Sequence, residues 1–198
     1  MNIVLSGKRE ICGNILSAVL GENGVKRLYF GEYFRGEPFA EIEAVKEPSV
    51  LVETWDLSGI ERILEVNGVF LREFMSIYKD TVVYLIESPE ENYLCLKGRI
   101  IPHYWSPRDN IDEIAREGRF RGEVVDNSTF LVFYENRFFA VKCNQNINID
   151  VKESEVEFSA KNMSKDFVLV ASGGVSKEAV LREVSSAVKN PLKIAGLR

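Results

Sequence analysis

Short apolar runs recur along the chain, and several of them end at a glycine or an acidic residue. The run at 81–87 (TVVYLIE) is apolar at nearly every position, which is typical of a strand that is covered on both faces. The other runs are bounded by turn residues and also have the length of strands. Together they predict further strands at 2–6, 25–34, 38–45, 48–55 and 166–174.

Longer segments place their apolar residues at helical spacing. The segment 14–20 has this spacing, and the sequence GENG that follows is typical of a helix end. A second helix is predicted over 60–78, with Gly68 weakening its middle. A last helix follows Ser176, which is a typical N-cap residue. The apolar face of this helix consists of Val180, Val184 and either Ala187 or Val188.

The second half of the chain is less regular. It contains a predicted short helix over 106–120 and a predicted hairpin over 129–143 that turns at Glu135 and Asn136. A further strand pair is predicted over 147–158. Because strands and helices alternate over the first 90 residues, we expect an α/β fold. The expected domain has three layers, a mostly parallel central sheet and an inserted β-hairpin, and it spans residues 1–198 as a single unit.

Composition and charge restrict the function. Hydrophobic residues make up 45% and charged residues 28% of the chain, as in ordinary globular proteins. The net charge of −5 argues against a general binder of nucleic acid or of anionic membranes. There is no apolar run of about 18 residues, and the N-terminal run is too short for a signal peptide, so we expect a cytoplasmic protein. A single glutamine beside abundant Glu and Lys is a bias of thermophile proteins.

Cysteine and histidine are too few for the common metal and catalytic sites. Cys12, Cys95 and Cys143 are far apart in the sequence, which fits neither a disulfide framework nor a zinc site. His103 is the one histidine, so the sequence has no His-based metal centre and no evident Ser-His-Asp or Cys-His couple.

One short motif suggests phosphate chemistry. Asp56 directly follows the strand at 48–55, and Gly59 comes three residues later. In an open α/β sheet, an acid at the carboxyl end of a strand points into the ligand crevice, where it can hold Mg²⁺. A glycine at this distance lets a backbone N–H approach a terminal phosphate. The alternative is a turn that ends a strand and binds nothing.

The surrounding residues resemble the switch segment of small Ras- and Rab-type GTPases. Residues 55–62 (WDLSGIER) match the family pattern W-D-T-A-G-Q-E-R at five positions. The segment 82–93 resembles the next strand of that family, and 168–184 resembles its last strand, base-contacting loop and last helix. The resemblance implies a P-loop GTPase-like domain that binds GTP or GDP with Mg²⁺. It implies Asp56 as the metal ligand and, as phosphate-binding residues, Gly7, Lys8, Gly13, Asn14 and Gly59.

Several positions depart from the GTPase pattern. Gly13 replaces the phosphate-loop lysine, Asn14 replaces the Mg²⁺-binding Ser or Thr, and Ile60 replaces the glutamine that orients water. The guanine-reading N-K-x-D sequence is absent. The prediction is therefore a degenerate GTPase-like protein, without catalytic residues, that acts as a protein-interaction or scaffold module. Its expected partner surface consists of Trp55, Ile60, Glu61 and Arg62.

Two alternatives stay open at this point. The first is a divergent guanine-nucleotide-binding protein that hydrolyses its ligand slowly or with help from a partner. The second is a degenerate phosphatase of the 2C type, because 164–175 resembles a late strand of that family, with Gly173 in place of a metal-binding Asp. This second alternative implies a β-sandwich instead of a parallel sheet.

Overall fold

In a computed structural model of the chain, residues 10–31, 33–55, 59–89, 94–102, 120–134 and 136–194 are described. They form two antiparallel β-sheets and two helices. Sheet A consists of β1 (Glu10–Cys12), β2 (Leu16–Gly21), β3 (Gly24–Phe30), β4 (Phe34–Gly36), β5 (Ala40–Glu43), β10 (Cys95–Pro102), β14 (Asn148–Val151) and β15 (Val156–Ala160). Sheet B consists of β6 (Ser49–Trp55), β7 (Ile60–Val66), β8 (Val69–Tyr78), β9 (Thr81–Glu87), β11 (Arg121–Asp126), β12 (Thr129–Tyr134), β13 (Arg137–Cys143) and β16 (Asp166–Gly174).

The strand orders are β1-β2-β3-β4-β10-β15-β14 in sheet A, where β5 pairs with β10 and β3, and β11-β12-β13-β16-β9-β8-β7-β6 in sheet B. The main core lies between the sheets, where Phe30 and Phe34 of sheet A meet Phe139 of sheet B at centroid distances of 5.7 and 5.9 Å. Such ring contacts add to the stability that burial of the apolar surface provides. The molecule is therefore a β-sandwich.

Helix α1 (Lys177–Lys189) covers the outer face of sheet B and is followed by the four-residue helix α2 (Pro191–Ile194). The predicted N-cap is confirmed, because the Ser176 hydroxyl accepts a hydrogen bond from the backbone N–H of Ala179 at 3.3 Å. The predicted buried face is confirmed as well, with Val180, Val184 and Ala187 packed on the sheet. These residues form a second, smaller core on sheet B. Among the described residues, no helix covers the outer face of sheet A.

The predicted parallel sheet is wrong. All strand pairs between described residues are antiparallel, including those of β9 with β8 and β16. Strand β9 is indeed buried on both faces. The reason is that the main core covers one face and α1 covers the other. An apolar run of this kind is equally compatible with a covered antiparallel strand, so its pattern could not decide the strand direction.

Two predicted helices are strands instead. Segment 14–20 lies mostly in β2, whose inward side chains alternate, with Leu16, Ala18 and Leu20 buried. Segment 60–78 is the β7–β8 hairpin. Its turn is formed by Asn67 and Gly68 with φ values of 53° and 82°, the left-handed pair that a two-residue hairpin turn requires.

The predicted strands of the second half are confirmed. Strands β12 and β13 form the hairpin, with Tyr134 paired to Arg137, and β14 pairs with β15. Strand β16 corresponds to the run at 166–174. The predicted strand at 2–6 and nearly all of the predicted helix at 106–120 lie outside the described residues. In the described part of the chain, no helix is long and apolar enough to cross a membrane.

The β11–β12 turn contains a carboxylate with a perturbed pKa. Burial alone would raise the pKa of Asp126, but hydrogen bonds from the backbone N–H and hydroxyl of Ser128, at 2.7 and 2.8 Å, together with the Lys142 ammonium, lower it to about 2. Because the folded state lowers this pKa, the stabilisation is complete above the unfolded value of 3.8 and is lost as the pH falls through about 2.

We therefore expect Asp126→Asn to reduce the free energy of unfolding at neutral pH and to have little effect near pH ~2. The Asp126 side chain is 52% exposed, so solvent screening limits the difference to less than about 1 kcal/mol. Urea unfolding of both proteins across this pH range measures it. A difference that does not change with pH would contradict the assignment of the lowered pKa to Asp126.

Candidate functional site

The predicted phosphate-binding glycines lie against neighbouring backbone. A Cβ atom at Gly13 would lie 1.8 Å from the Lys79 carbonyl oxygen, and the N–H of Asn14 donates to that oxygen at 3.2 Å. A Cβ atom at Gly59 would lie 2.2 Å from the Met75 carbonyl oxygen. Neighbouring backbone therefore leaves no room for a side chain at either position. It belongs to the turn after strand β8 at Gly13 and to strand β8 itself at Gly59. The other predicted ligands, Gly7, Lys8 and Asp56, lie outside the described residues.

The predicted partner residues divide into a buried and a partly exposed pair. Ile60 and Arg62 are each 1% exposed and point into the core between the sheets. Glu61 lies on the outer face of sheet B and pairs with Arg72, and the half-buried Trp55 donates its indole N–H to Glu53 at 2.7 Å. The buried pair has no surface to offer to a partner, whereas partner binding through Glu61 or Trp55 stays a prediction.

Arg62 belongs to a polar cluster between the two sheets that the sequence analysis did not find. Its Nε donates to Glu73, its Nη1 donates to the Gly21 carbonyl of sheet A at 2.6 Å, and the Tyr84 hydroxyl donates to Glu73 at 2.6 Å. Burial alone would lower the pKa of Arg62, but the Glu73 carboxylate raises it above its usual value. Burial, reinforced by Glu73, raises the pKa of Tyr84 well above 10.0.

This cluster gives no evidence of a ligand site. The side chains of Arg62 and Glu73 are 0% exposed, and their charges neutralise each other. Of the three guanidinium nitrogens of Arg62, Nη2 has no hydrogen-bond partner among the described residues. The arrangement joins sheet B to the backbone of sheet A, so its role is structural.

A groove of about 410 Å³ lies on the outer face of sheet A, across strands β10, β15 and β14. We call it the sheet A groove. The register of the three strands places its polar side chains in two rows, because residues that face each other across antiparallel strands share a face. One row consists of Lys97, Ser159 and Asn148; the other consists of Arg99, Glu157 and Asp150.

The dimensions of the groove follow from sheet geometry. Three strands about 4.8 Å apart and two rows separated by two residues give a grid of roughly 10 by 7 Å. Pro38 adds apolar surface to the lining, whereas the side chains of Ile149 and Phe158 pack on the main core and contribute little to the outer face. A groove with polar groups on neighbouring strands and some apolar surface beside them is typical of small-ligand sites.

Three charged side chains of the groove lining are held in ion pairs. Lys97 pairs with Glu43 at 3.2 Å, and Arg99 approaches Glu155 at 3.8 Å. Glu157 pairs with Lys152 at 2.7 Å. The hydrogen bond from Lys152 lowers the pKa of the Glu157 carboxyl below its usual value. These pairs occupy the two cations of the lining and one of its two carboxylates.

Three polar side chains of the groove remain available to a ligand. The amide of Asn148, the carboxylate of Asp150 and the hydroxyl of Ser159 make no hydrogen bond or ion pair with any other described side chain. They supply donors and acceptors in neighbouring positions. The sequence shows only alternating polar residues here, which is equally the pattern of any exposed sheet face, so it could not identify the site.

Comparisons with solved structures identify the class of fold. The chain is similar to a bacterial glucoamylase complexed with acarbose, with 11% identity and a TM-score of 0.59 over 91% of this chain and 34% of that protein. It is also similar to an inverting mannosidase of family GH92 from Bacteroides thetaiotaomicron, with 9% identity and a TM-score of 0.56 over 98% of this chain and 31% of that protein. The fold is therefore a β-sandwich like those within glycoside hydrolases.

The chain spans about a third of the length of both enzymes. No protein-family model matches the sequence, and no curated protein matches it significantly. The predicted P-loop GTPase-like fold is wrong, because both sheets are antiparallel and the structural neighbours are glycoside hydrolases. The functions predicted from the sequence are wrong as well: the degenerate GTPase, its nucleotide-binding variant and the phosphatase-like alternative. The phosphatase alternative implied a β-sandwich, but the two similar structures named above are a glucoamylase and a mannosidase.

Proposed function

We propose that this chain is a β-sandwich domain that binds a carbohydrate in the sheet A groove. One observation carries the proposal: Asn148, Asp150 and Ser159 present available hydrogen-bonding groups at neighbouring grid positions of a groove on sheet A. Sugar hydroxyls both donate and accept hydrogen bonds, so a mixed set of amide, carboxylate and hydroxyl groups suits them. The fold shared with a glucoamylase and a mannosidase supports the same class of ligand.

One of the two carboxyl groups of the groove does not suit acid catalysis of glycoside cleavage. Glycoside cleavage by two carboxyl groups needs one of them to act as an acid, with a raised pKa. Glu157 faces Asp150 across strands β15 and β14, which makes these two residues the carboxyl pair of the groove lining. The Lys152 ammonium lowers the pKa of Glu157, so this carboxyl group is a poor proton donor.

Calorimetric titration with maltohexaose and with an α-linked mannohexaose tests the proposal. We expect binding of at least one oligosaccharide, and a loss of about tenfold in affinity for the double variant Asn148→Ala/Asp150→Ala. Each lost hydrogen bond is worth about 0.5–1.5 kcal/mol, and a factor of ten corresponds to about 1.4 kcal/mol. Both side chains are exposed, so the variant should fold normally.

A matched control is Asp166→Ala, which removes an exposed aspartate from sheet B and leaves the groove intact. The control should bind as the unmodified protein does. Failure of both oligosaccharides to bind at millimolar concentration, or an equal loss in the control, would contradict carbohydrate binding in this groove.

Other expectations from the sequence continue as proposals. The net charge of −5 disfavours nucleic acid as a ligand. A protein partner, a cytoplasmic location, a single domain over residues 1–198 and a thermophilic source are consistent with the sequence features given above. Binding of GTP or GDP with Mg²⁺ no longer has a GTPase fold to support it.

A further inference from the structure

We infer that the sheet A groove distinguishes sugars by charge, favouring a protonated amino sugar over a neutral sugar and a neutral sugar over an acidic one. The inference rests on the proposed function, because it concerns the ligand of that groove. It assigns the discrimination to Asp150, which is the carboxylate of the lining without a described cation partner.

The first step is the charge of the groove. Its lining and the groups paired with it comprise three cations and four carboxylates. The cations are Lys97, Arg99 and Lys152, and the carboxylates are Glu43, Glu155, Glu157 and Asp150. One negative charge is therefore in excess. Each cation lies within 4.0 Å of a carboxylate, which reduces its attraction for an anionic ligand.

The second step is the position of the uncompensated charge. Asp150 faces Glu157 across the β14–β15 pair, and the Lys152 ammonium is already bonded to Glu157 and Glu155. A carboxylate accepts hydrogen bonds and cannot donate them. It therefore accepts from sugar hydroxyls, accepts more strongly from a sugar ammonium group, and repels a sugar carboxylate.

The third step is the neighbourhood of Asp150 within the grid. The amide of Asn148 and the hydroxyl of Ser159 occupy the adjoining row, so a sugar ring held there has its remaining hydroxyls satisfied by uncharged groups. These two residues supply affinity for every sugar of suitable shape. Discrimination by charge is left to Asp150.

Nuclear magnetic resonance titration with glucosamine, glucose and glucuronate tests the inference, with mannosamine, mannose and mannuronate as a second series. Within each series the ring geometry is constant, and each charged sugar differs from the neutral one at one position: the amine replaces the 2-hydroxyl, and the carboxylate replaces the 6-hydroxymethyl group. At slightly acidic pH and low salt, we expect the amine to bind up to about fivefold more tightly than the neutral sugar, which is the range of an exposed ion pair. The acid should bind more weakly by a similar factor. Shifts of the backbone amide signals of strands β14 and β15 locate the site.

Asp150→Asn separates the charge from the shape of the side chain. This variant should bind the three sugars of a series with nearly equal affinity, and added salt should reduce the discrimination by the unmodified protein. Asp166→Asn changes the net charge of the protein equally but lies in sheet B, so it should preserve the ranking.

The outcomes separate the two proposals. Equal binding of the three sugars by the unmodified protein, or the same ranking in Asp150→Asn, would overturn the charge discrimination and leave carbohydrate binding in place. Absence of shifts in strands β14 and β15 with all six sugars, together with failure of the oligosaccharides to bind, would overturn both.

Discussion

Replacing Glu73 with alanine is expected to lower the free energy of unfolding by about 3–5 kcal/mol. The change leaves the Arg62 guanidinium charged in a site with 0% exposure and removes the acceptor of the Tyr84 hydroxyl. A buried charge without its counterion pays its desolvation cost without the compensating attraction. Equilibrium unfolding in urea, followed by far-ultraviolet circular dichroism, measures the loss.

Two further variants make this prediction specific. Glu61→Ala removes an exposed ion pair with Arg72 in the same sheet, and it should cost less than about 1 kcal/mol. The combined variant Arg62→Met/Glu73→Leu/Tyr84→Phe replaces the whole cluster by apolar groups and should recover most of the stability. If Glu73→Ala cost no more than Glu61→Ala, the buried cluster would have no structural role.

Gly59→Ala is expected to cost about 3 kcal/mol or more. Gly59 has a φ of 156°, and a methyl group on it would lie 2.2 Å from the carbonyl oxygen of Met75, which belongs to the central part of strand β8. Relief of this overlap requires movement of paired backbone. Urea unfolding again gives the size of the effect.

Gly68→Ala is the matched control. Gly68 has a φ of 82° in the β7–β8 turn, but no atom lies within 4 Å of the position of its missing Cβ. The two substitutions restrict the unfolded chain equally, so that effect cancels when their costs are compared. We expect about 1 kcal/mol for Gly68→Ala, which is the cost of the left-handed backbone alone. If both substitutions lowered the free energy of unfolding equally, the overlap with the Met75 carbonyl oxygen would not be the reason for glycine at position 59.

Local patterns predicted some elements well. Helix α1 was identified by Ser176 and by a regular apolar face, and the β12–β13 hairpin by two apolar runs around a turn. Both features depend on residues close together in the sequence. The β7–β8 hairpin could have been predicted in the same way, because Asn-Gly between apolar runs is a strong hairpin signal. The apolar residues of 60–78 also fit helical spacing, and for that reason a helix was predicted instead of this hairpin.

Strand direction and the location of the site depend on distant contacts. Strand β9 has the composition of a covered strand, but the identity of its neighbours, β8 and β16, is fixed by residues far away in the chain. The groove combines β10 with β14 and β15, which are about 50 residues further along. The motif at Asp56 and Gly59 matched a phosphate-binding pattern because close approach of any backbone selects glycine, whether the neighbour is a ligand or a strand.

Strand β14 is the last strand of sheet A, and its backbone pairs on one side only among the described residues, with β15. Terminal strands open locally at a lower free energy than central ones. Asn148 and Asp150 therefore lie on the part of the sheet that separates most readily from the rest. A ligand that bridges β14 and β15 binds only when the strand is docked. The observed affinity of the ligand therefore includes the free energy of docking strand β14 on β15. Binding of the ligand in turn stabilises the docked strand.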